Sequence, residues 1–169
     1  MTSTVSTLIP ADRIQRRVAE LGAQVARDYA GRKLVLVSVL KGSFVFTADL
    51  MRSIDTDLRV EFLGVRSYGE GTSTSGVVQI TQDLTRPIEG DDVVVVEDIV
   101  DTGLTLKHLL ELLATRKPAS VKVCTLLHKP ARTRVAVPID YSENERVLVK
   151  ELRERFSAGA GIAASSRST

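Results

Sequence analysis

The residues with the clearest chemical potential form one run, VVVVEDIVDTGLT, at positions 93–105. Four valines lead into Glu97 and Asp98, and Asp101, Thr102, Gly103 and Thr105 follow within the next seven positions. Carboxylates are costly to withdraw from water, so a pair at the end of an apolar run is expected to meet a cation or a hydroxyl-rich ligand. A magnesium ion and a ribose diol both satisfy two adjacent carboxylates. Residues 101–105 add a glycine for close backbone approach, two hydroxyls and the free N–H groups of a helix start. Together these make a phosphate cradle.

Such a cradle needs a strand to end and a helix to begin at the right place, and the flanking sequence supplies both. VVVVED reads as a strand and LTLKHLLELLATRK as an amphipathic helix closed by Pro118. Upstream, Ile14, Val18, Leu21 and Val25 recur at helical spacing within residues 10–30, with Pro10 and Gly31 suited to the two ends. KLVLVSVL (33–40) is a short valine-rich run, the pattern of a strand buried on both faces. SFVFTADLMR predicts a second helix, while RVEFLGVRSY (59–68), VVQITQDL (77–84) and ASVKVCTLLHK (119–129) predict further strands. GEGTSTSG (69–76) is small and polar and reads as a mobile loop. Strands alternating with helices imply a parallel α/β sheet with right-handed crossovers. In such sheets ligands bind beyond the carboxyl ends of the strands, where Glu97 and Asp98 are placed. Tyr29, Phe44 and Phe46 are expected in the core, and His108 and His128 on the surface.

Composition narrows the function classes. At 169 residues, 43% hydrophobic and 26% charged, the chain is read as one globular domain. A net charge of +2 does not argue for nucleic acid, and no apolar run approaches a membrane span. The first ten residues lack the features of a signal peptide. Cys124, the lone cysteine, is expected to be buried and inert, and the absence of a disulfide framework points to a reducing cytoplasm. Better-known phosphate motifs fail: GxxxxGK[ST] is absent, and GEGTSTSG lacks the third glycine of a dinucleotide fingerprint.

VVVVEDIVDTGLT resembles the phosphoribosyl pyrophosphate (PRPP) signature of type I phosphoribosyltransferases. Other segments resemble the hypoxanthine–guanine branch of that family. SVLKGSFVFTADLMR (38–52) is similar to its pyrophosphate loop, and EFLGVRSYGEGTSTSGVVQITQDL (61–84) to its flexible loop with Ser67 and Tyr68 at the base. LLHKPARTRVAVPIDY (126–141) is similar to the segment carrying a purine-contacting lysine, here Lys129. The resemblance covers about residues 8–141.

The resemblance implies the type I phosphoribosyltransferase fold, a central mostly parallel sheet flanked by helices with a small hood from the chain termini. It implies transfer of 5-phosphoribosyl from PRPP to N9 of hypoxanthine or guanine, giving IMP or GMP and pyrophosphate, in a homodimer or homotetramer. Glu97 and Asp98 would hold the ribose hydroxyls directly or through Mg²⁺. Asp101, Thr102, Gly103, Leu104 and Thr105 would bind the 5-phosphate, with Asp101 also the general acid or base at N7. Lys41 and Gly42, after a cis peptide, would grip pyrophosphate. Lys129 would donate to the 6-oxo group, and Ile99 would contact the purine.

The pattern departs at the C-terminal end. Where the family has a stacking aromatic residue and a base-reading Asp, ERVLVKELRERF aligns with Val147 in place of the aromatic, then Leu148 and Glu154 toward the purine. Residues 157–169 read as a disordered tail. The departure keeps two alternatives open: a non-catalytic PRPP-sensing regulator on the same fold, and a xanthine-preferring transferase.

Overall fold

The computed structural model describes residues 9–67 and 78–144. The expected terminal hood, the 69–76 loop and the 157–169 tail lie outside them. Strand β1 (Leu34–Leu40) is buried along nearly its whole length, as its unbroken apolar run predicts. Successive side chains of a strand point to opposite faces, so one such run feeds two cores. Leu34 and Leu36 pack with Val18, Leu21 and Val25 of α1 (Ala11–Asp28) and with Phe46 and Leu50 of α2 (Phe44–Arg52). Val35, Val37 and Val39 pack on the other face with Leu106, Leu109 and Leu113 of α3 (Leu104–Ala114).

Six strands form the sheet, in the order β3-β2-β1-β4-β5-β6. β1 lies parallel to β2 (Leu58–Ser67) and to β4 (Asp92–Val100), and β5 (Ser120–His128) runs parallel to β4 and to β6 (Tyr141–Asn144). The short β3 (Val78–Gln82) is antiparallel to β2 at one edge. This is the mixed, mostly parallel α/β architecture that the sequence implies.

Four details differ from expectation, each for a local reason. α3 stops at Ala114 rather than at Pro118, because the residue before a proline is driven out of helical geometry; the chain turns through Lys117 at φ 53°. Phe44 is 58% exposed while Phe46 is buried, since residues two apart on a helix point to nearly opposite sides. His128 is half-buried, with Nε2 3.3 Å from Thr133 Oγ1. Strand β6 was not foreseen at Tyr141–Asn144: its polar sequence is anchored by Tyr141, buried and donating to Asp28 Oδ2 at 2.6 Å, and by the Ser142 carbonyl, which accepts from Arg17 at 2.6 Å. Tyr29 and Cys124 are buried as expected.

A buried carboxylate secures the connection into β4. Glu61 on β2 is 3% exposed and accepts from Arg59 at 3.0 Å and from the Thr85 N–H and hydroxyl at 2.9 and 2.8 Å. Arg59 also donates to Asp91 Oδ2 at 2.7 Å, immediately before β4. Burial alone would raise the Glu61 pKa, but the Thr85 and Arg59 donors outweigh it and hold the group below its ordinary 4.5. A depressed carboxylate stabilises the fold above the unfolded-state value and loses that contribution as pH falls through the folded one. Glu61→Ala is therefore expected to cost about 2 kcal/mol in urea unfolding at pH 7, with the gap from wild type narrowing as pH drops below 4.5.

Candidate active site

The chemistry-bearing run does not sit quite where its sequence places it. β4 continues past Glu97 and Asp98 to Val100, with Ile99 and Val100 still paired to Leu127 and His128 of β5. Those two β-branched residues suit the ladder, so the carboxylates leave the sheet from within its last residues and from opposite faces. Asp98 follows Val94 and Val96 onto the α2 side. A Cβ placed on Gly42 would lie 2.5 Å from Asp98 Oδ2, so the Lys41–Gly42 turn presses its backbone against this carboxylate. The peptide bond between Leu40 and Lys41 is cis, as the resemblance implies.

Glu97 points to the α3 side, into a cavity of about 160 Å³ shared with Ile99, Asp101, Thr102, Gly103 and Thr105. Gly103 caps the start of α3 at φ 82°, a left-handed conformation that a residue with a Cβ adopts at a cost. Its environment excludes a side chain as well: a Cβ there would meet the Val135 carbonyl oxygen at 2.4 Å. That carbonyl belongs to a segment tied down by three backbone bonds. Lys129 N–H donates to Val100 O at 3.0 Å, and Arg134 and Val135 N–H both donate to Thr102 O, at 3.0 and 3.1 Å. The residues after β5 thus form one wall of the cradle.

Glu97 is the carboxylate whose titration the site perturbs most. Burial, followed by the adjacent Asp98 carboxylate, pushes Glu97 up to about 8. Asp98 Oδ1 accepts from the Ile99 N–H at 2.9 Å. Asp101 Oδ1 is sealed from solvent and accepts no aligned hydrogen bond; Arg132 Nε stands 3.1 Å away as an ion contact.

Glu97, Ile99, Asp101, Thr102, Gly103 and Thr105 are brought together around the cavity, and Leu104 begins α3 beside them. Gly42, in the turn that follows β1, lies against Asp98, and Lys129 is held by its backbone to the end of β4. Ser67 ends β2 opposite Val78, whereas Tyr68, Leu148 and Glu154 lie outside the described residues. Sequence reasoning missed Arg132 and the Val135 carbonyl. Arg132 falls three positions after Lys129 in KPAR, a spacing with no signature of its own.

The sequence profile of the phosphoribosyl transferase domain matches residues 5–151. A hypoxanthine-guanine phosphoribosyltransferase of Dictyostelium discoideum is 53% identical over 132 residues, covering 76% of this chain and 73% of the relative. A hypoxanthine phosphoribosyltransferase of Escherichia coli is 42% identical over 164 residues, covering 96% and 89%. The crystal structure of a Bacillus anthracis hypoxanthine-guanine phosphoribosyltransferase superposes with a TM-score of 0.80 at 42% identity, covering 85% of each chain.

Two outcomes follow from this geometry. Gly103→Ala is expected to cost more than about 1 kcal/mol in chemical unfolding, from the positive φ and the collision with Val135. Folded Glu97 keeps its proton up to about pH 8, whereas the unfolded glutamate releases it near 4.5, so stability falls as pH rises between those values. Glu97→Gln is therefore expected to raise the melting temperature of the ligand-free protein at pH 8, and to change it little at pH 4.5.

Proposed function

The chain belongs to the phosphoribosyl transferase family, and on that footing we propose that it transfers 5-phosphoribosyl from PRPP to N9 of hypoxanthine or guanine. The products are IMP or GMP and pyrophosphate, the chemistry of purine salvage. The observation that carries the reading is a convergence: the Lys41–Gly42 backbone, the Glu97–Asp98 pair and the 101–105 turn meet at the carboxyl end of neighbouring strands.

In this reading the sugar 5-phosphate sits on the N–H groups and hydroxyls of residues 101–105, at the start of α3. Glu97 and Asp98 take the ribose hydroxyls, and their charge favours positive charge developing on the sugar ring. As the bond from C1′ to pyrophosphate oxygen breaks, the bond from C1′ to N9 forms. Asp101 accepts the imidazole proton that the purine must lose, a role worth about 10²–10⁴ in rate. Lys41 and Gly42 receive the departing pyrophosphate through their backbone. Lys129 donates to the 6-oxo group, Ile99 packs against the base, and Leu148 and Glu154 complete the base pocket. The segment begun by Ser67 and Tyr68 closes over the reactants and excludes water.

Mg²⁺ fits this donor set. No cluster of three metal-ligating side chains occurs among the described residues. Mg²⁺ commonly takes one or two carboxylates and completes its shell with water and substrate oxygens. Glu97 and Asp98 would hold it, and its charge would offset the burial and the Asp98 charge that together keep Glu97 protonated. When bound, it neutralises charge on the pyrophosphate leaving group.

The protein works in this reading as a homodimer or homotetramer in the cytoplasm, where Cys124 stays reduced. Phe44, Val45 and Met51 are each at least 40% exposed along α2, a surface that a second copy would cover. No helix among the described residues is long and apolar enough to cross a membrane.

The decisive experiment is a spectrophotometric assay with PRPP, Mg²⁺ and each of hypoxanthine, guanine, xanthine and adenine. Hypoxanthine or guanine is expected to turn over, and Asp101→Asn to lower kcat at least about 100-fold while the protein still binds nucleotide. Tight PRPP binding with no turnover of any base would sink the reading. In sedimentation, Phe44→Glu is expected to shift the assembly toward smaller species.

A further inference from the structure

Among the described residues five non-aromatic polar side chains are buried, and three of them, Ser38, Ser43 and Thr47, touch one another beneath the Lys41–Gly42 turn. We propose that these hydroxyls are positioning residues that set the turn for pyrophosphate, an inference that rests on the function proposed above. Ser43 stands at the N-cap of α2, where a serine hydroxyl ordinarily accepts from an N–H of the first helical turn. Here it makes no such bond. It donates instead back across the turn to Val39 O at 2.6 Å, closing residues 39–43 into a ring. Ser38 Oγ lies 2.9 Å from Ser43 Oγ, and Thr47 Oγ1 lies 2.8 Å from Ser38 Oγ and 2.9 Å from Ser43 O.

A hydroxyl has one proton, so the order of donation is determined. Ser43 donates to Val39 O, which obliges Ser38 to donate to Ser43. Thr47 donates in turn to Ser38 or to the Ser43 carbonyl. The chain runs from the helix, through the strand, to the carbonyl immediately before the turn. Its placement links it to the site. Ser38 pairs in register with Val96, and the next β4 residue on that face is Asp98, against which Gly42 is pressed. A turn that must touch a carboxylate on one side and leave its N–H groups for an anion has little tolerance for drift. Displacements of about 1 Å cost substantial affinity or rate in such sites. A forgone helix cap and three buried hydroxyls where valine or alanine would pack are the cost of that fixity.

The test compares wild type with Ser43→Ala, Thr47→Val and Thr47→Ser, using calorimetric binding of magnesium pyrophosphate and of IMP, the KM for PRPP, and thermal melts. Ser43→Ala and Thr47→Val are expected to weaken pyrophosphate binding and raise the KM for PRPP on the order of tenfold. IMP, which lacks the pyrophosphate, is expected to bind within about twofold of wild type, and Thr47→Ser to restore pyrophosphate binding. Equal losses for pyrophosphate and IMP, or no loss for either, would overturn the proposal in favour of a purely structural network. Should Ser43→Ala fail to fold, the Thr47→Val and Thr47→Ser pair decides the question alone. Wild-type protein that binds no pyrophosphate would overturn the parent reading as well, an outcome distinct from one in which wild type binds and the variants do not differ.

Discussion

Glu97 and Asp98 are neighbours on a strand whose four preceding valines have no exposure to solvent, and the two carboxylates repel one another across a partly desolvated edge. Burial first, and the neighbouring Asp98 second, leave a proton on Glu97. A cation, or a sugar that becomes cationic, would offset both and leave the two acids ionised. The arrangement is unfavourable to the fold and favourable to a positively charged occupant, the combination that the proposed reaction would use. The surrounding structure holds that pair fixed. The valines lock the strand from both faces, and the Glu61–Arg59–Asp91 network fixes the point at which the chain enters it.

Around the carboxylates the working surface is backbone, and it approaches by way of two glycines. Gly42 comes so close to Asp98 that a Cβ would displace the carboxylate, and Gly103 so close to the Val135 carbonyl that a Cβ would strike backbone. The missing side chains leave N–H groups open to the anions of the proposed reaction, and both turns are braced from outside. The 101–105 turn is braced by the bonds from residues 134 and 135 to Thr102 O, and the 40–43 turn by the hydroxyls of Ser38, Ser43 and Thr47. Each brace comes from residues outside the run that carries the acids.

That distinction explains what the sequence conveyed. The PRPP-like run, the strand buried on both faces and the α1 stripe were legible because each is a local pattern: an acid pair after valines, a continuous apolar run, a 3.6-residue period. Arg132 beside Asp101, the Val135 carbonyl over Gly103 and the hydroxyl chain were not legible, because each joins segments that the fold brings together. Ser43 is instructive, since its position before a helix reads as a cap and its hydroxyl turns the other way. Phe44 departs from its apolar character for a simpler reason: it lies on the solvent side of a nine-residue helix whose other side carries the buried Phe46.

The sheet order explains why the site lies where it does. From β1 the chain crosses by α2 to β2 on one side, and from β4 it crosses by α3 to β5 on the other. Right-handed crossovers travelling in opposite directions must use opposite faces of a sheet, which is why α2 and α3 pack in different cores. Between β1 and β4 the two connections part, opening a crevice at the carboxyl ends of the strands. The Lys41–Gly42 turn leaves β1 on one side of that crevice and Asp98 leaves β4 on the other, in contact. The divergence of the two helices places one turn at each side, with the carboxylate pair between them. On the function proposed above, neither turn alone would bind both ends of a substrate carrying phosphate at one end and pyrophosphate at the other, and the sugar would lie at the carboxylates between.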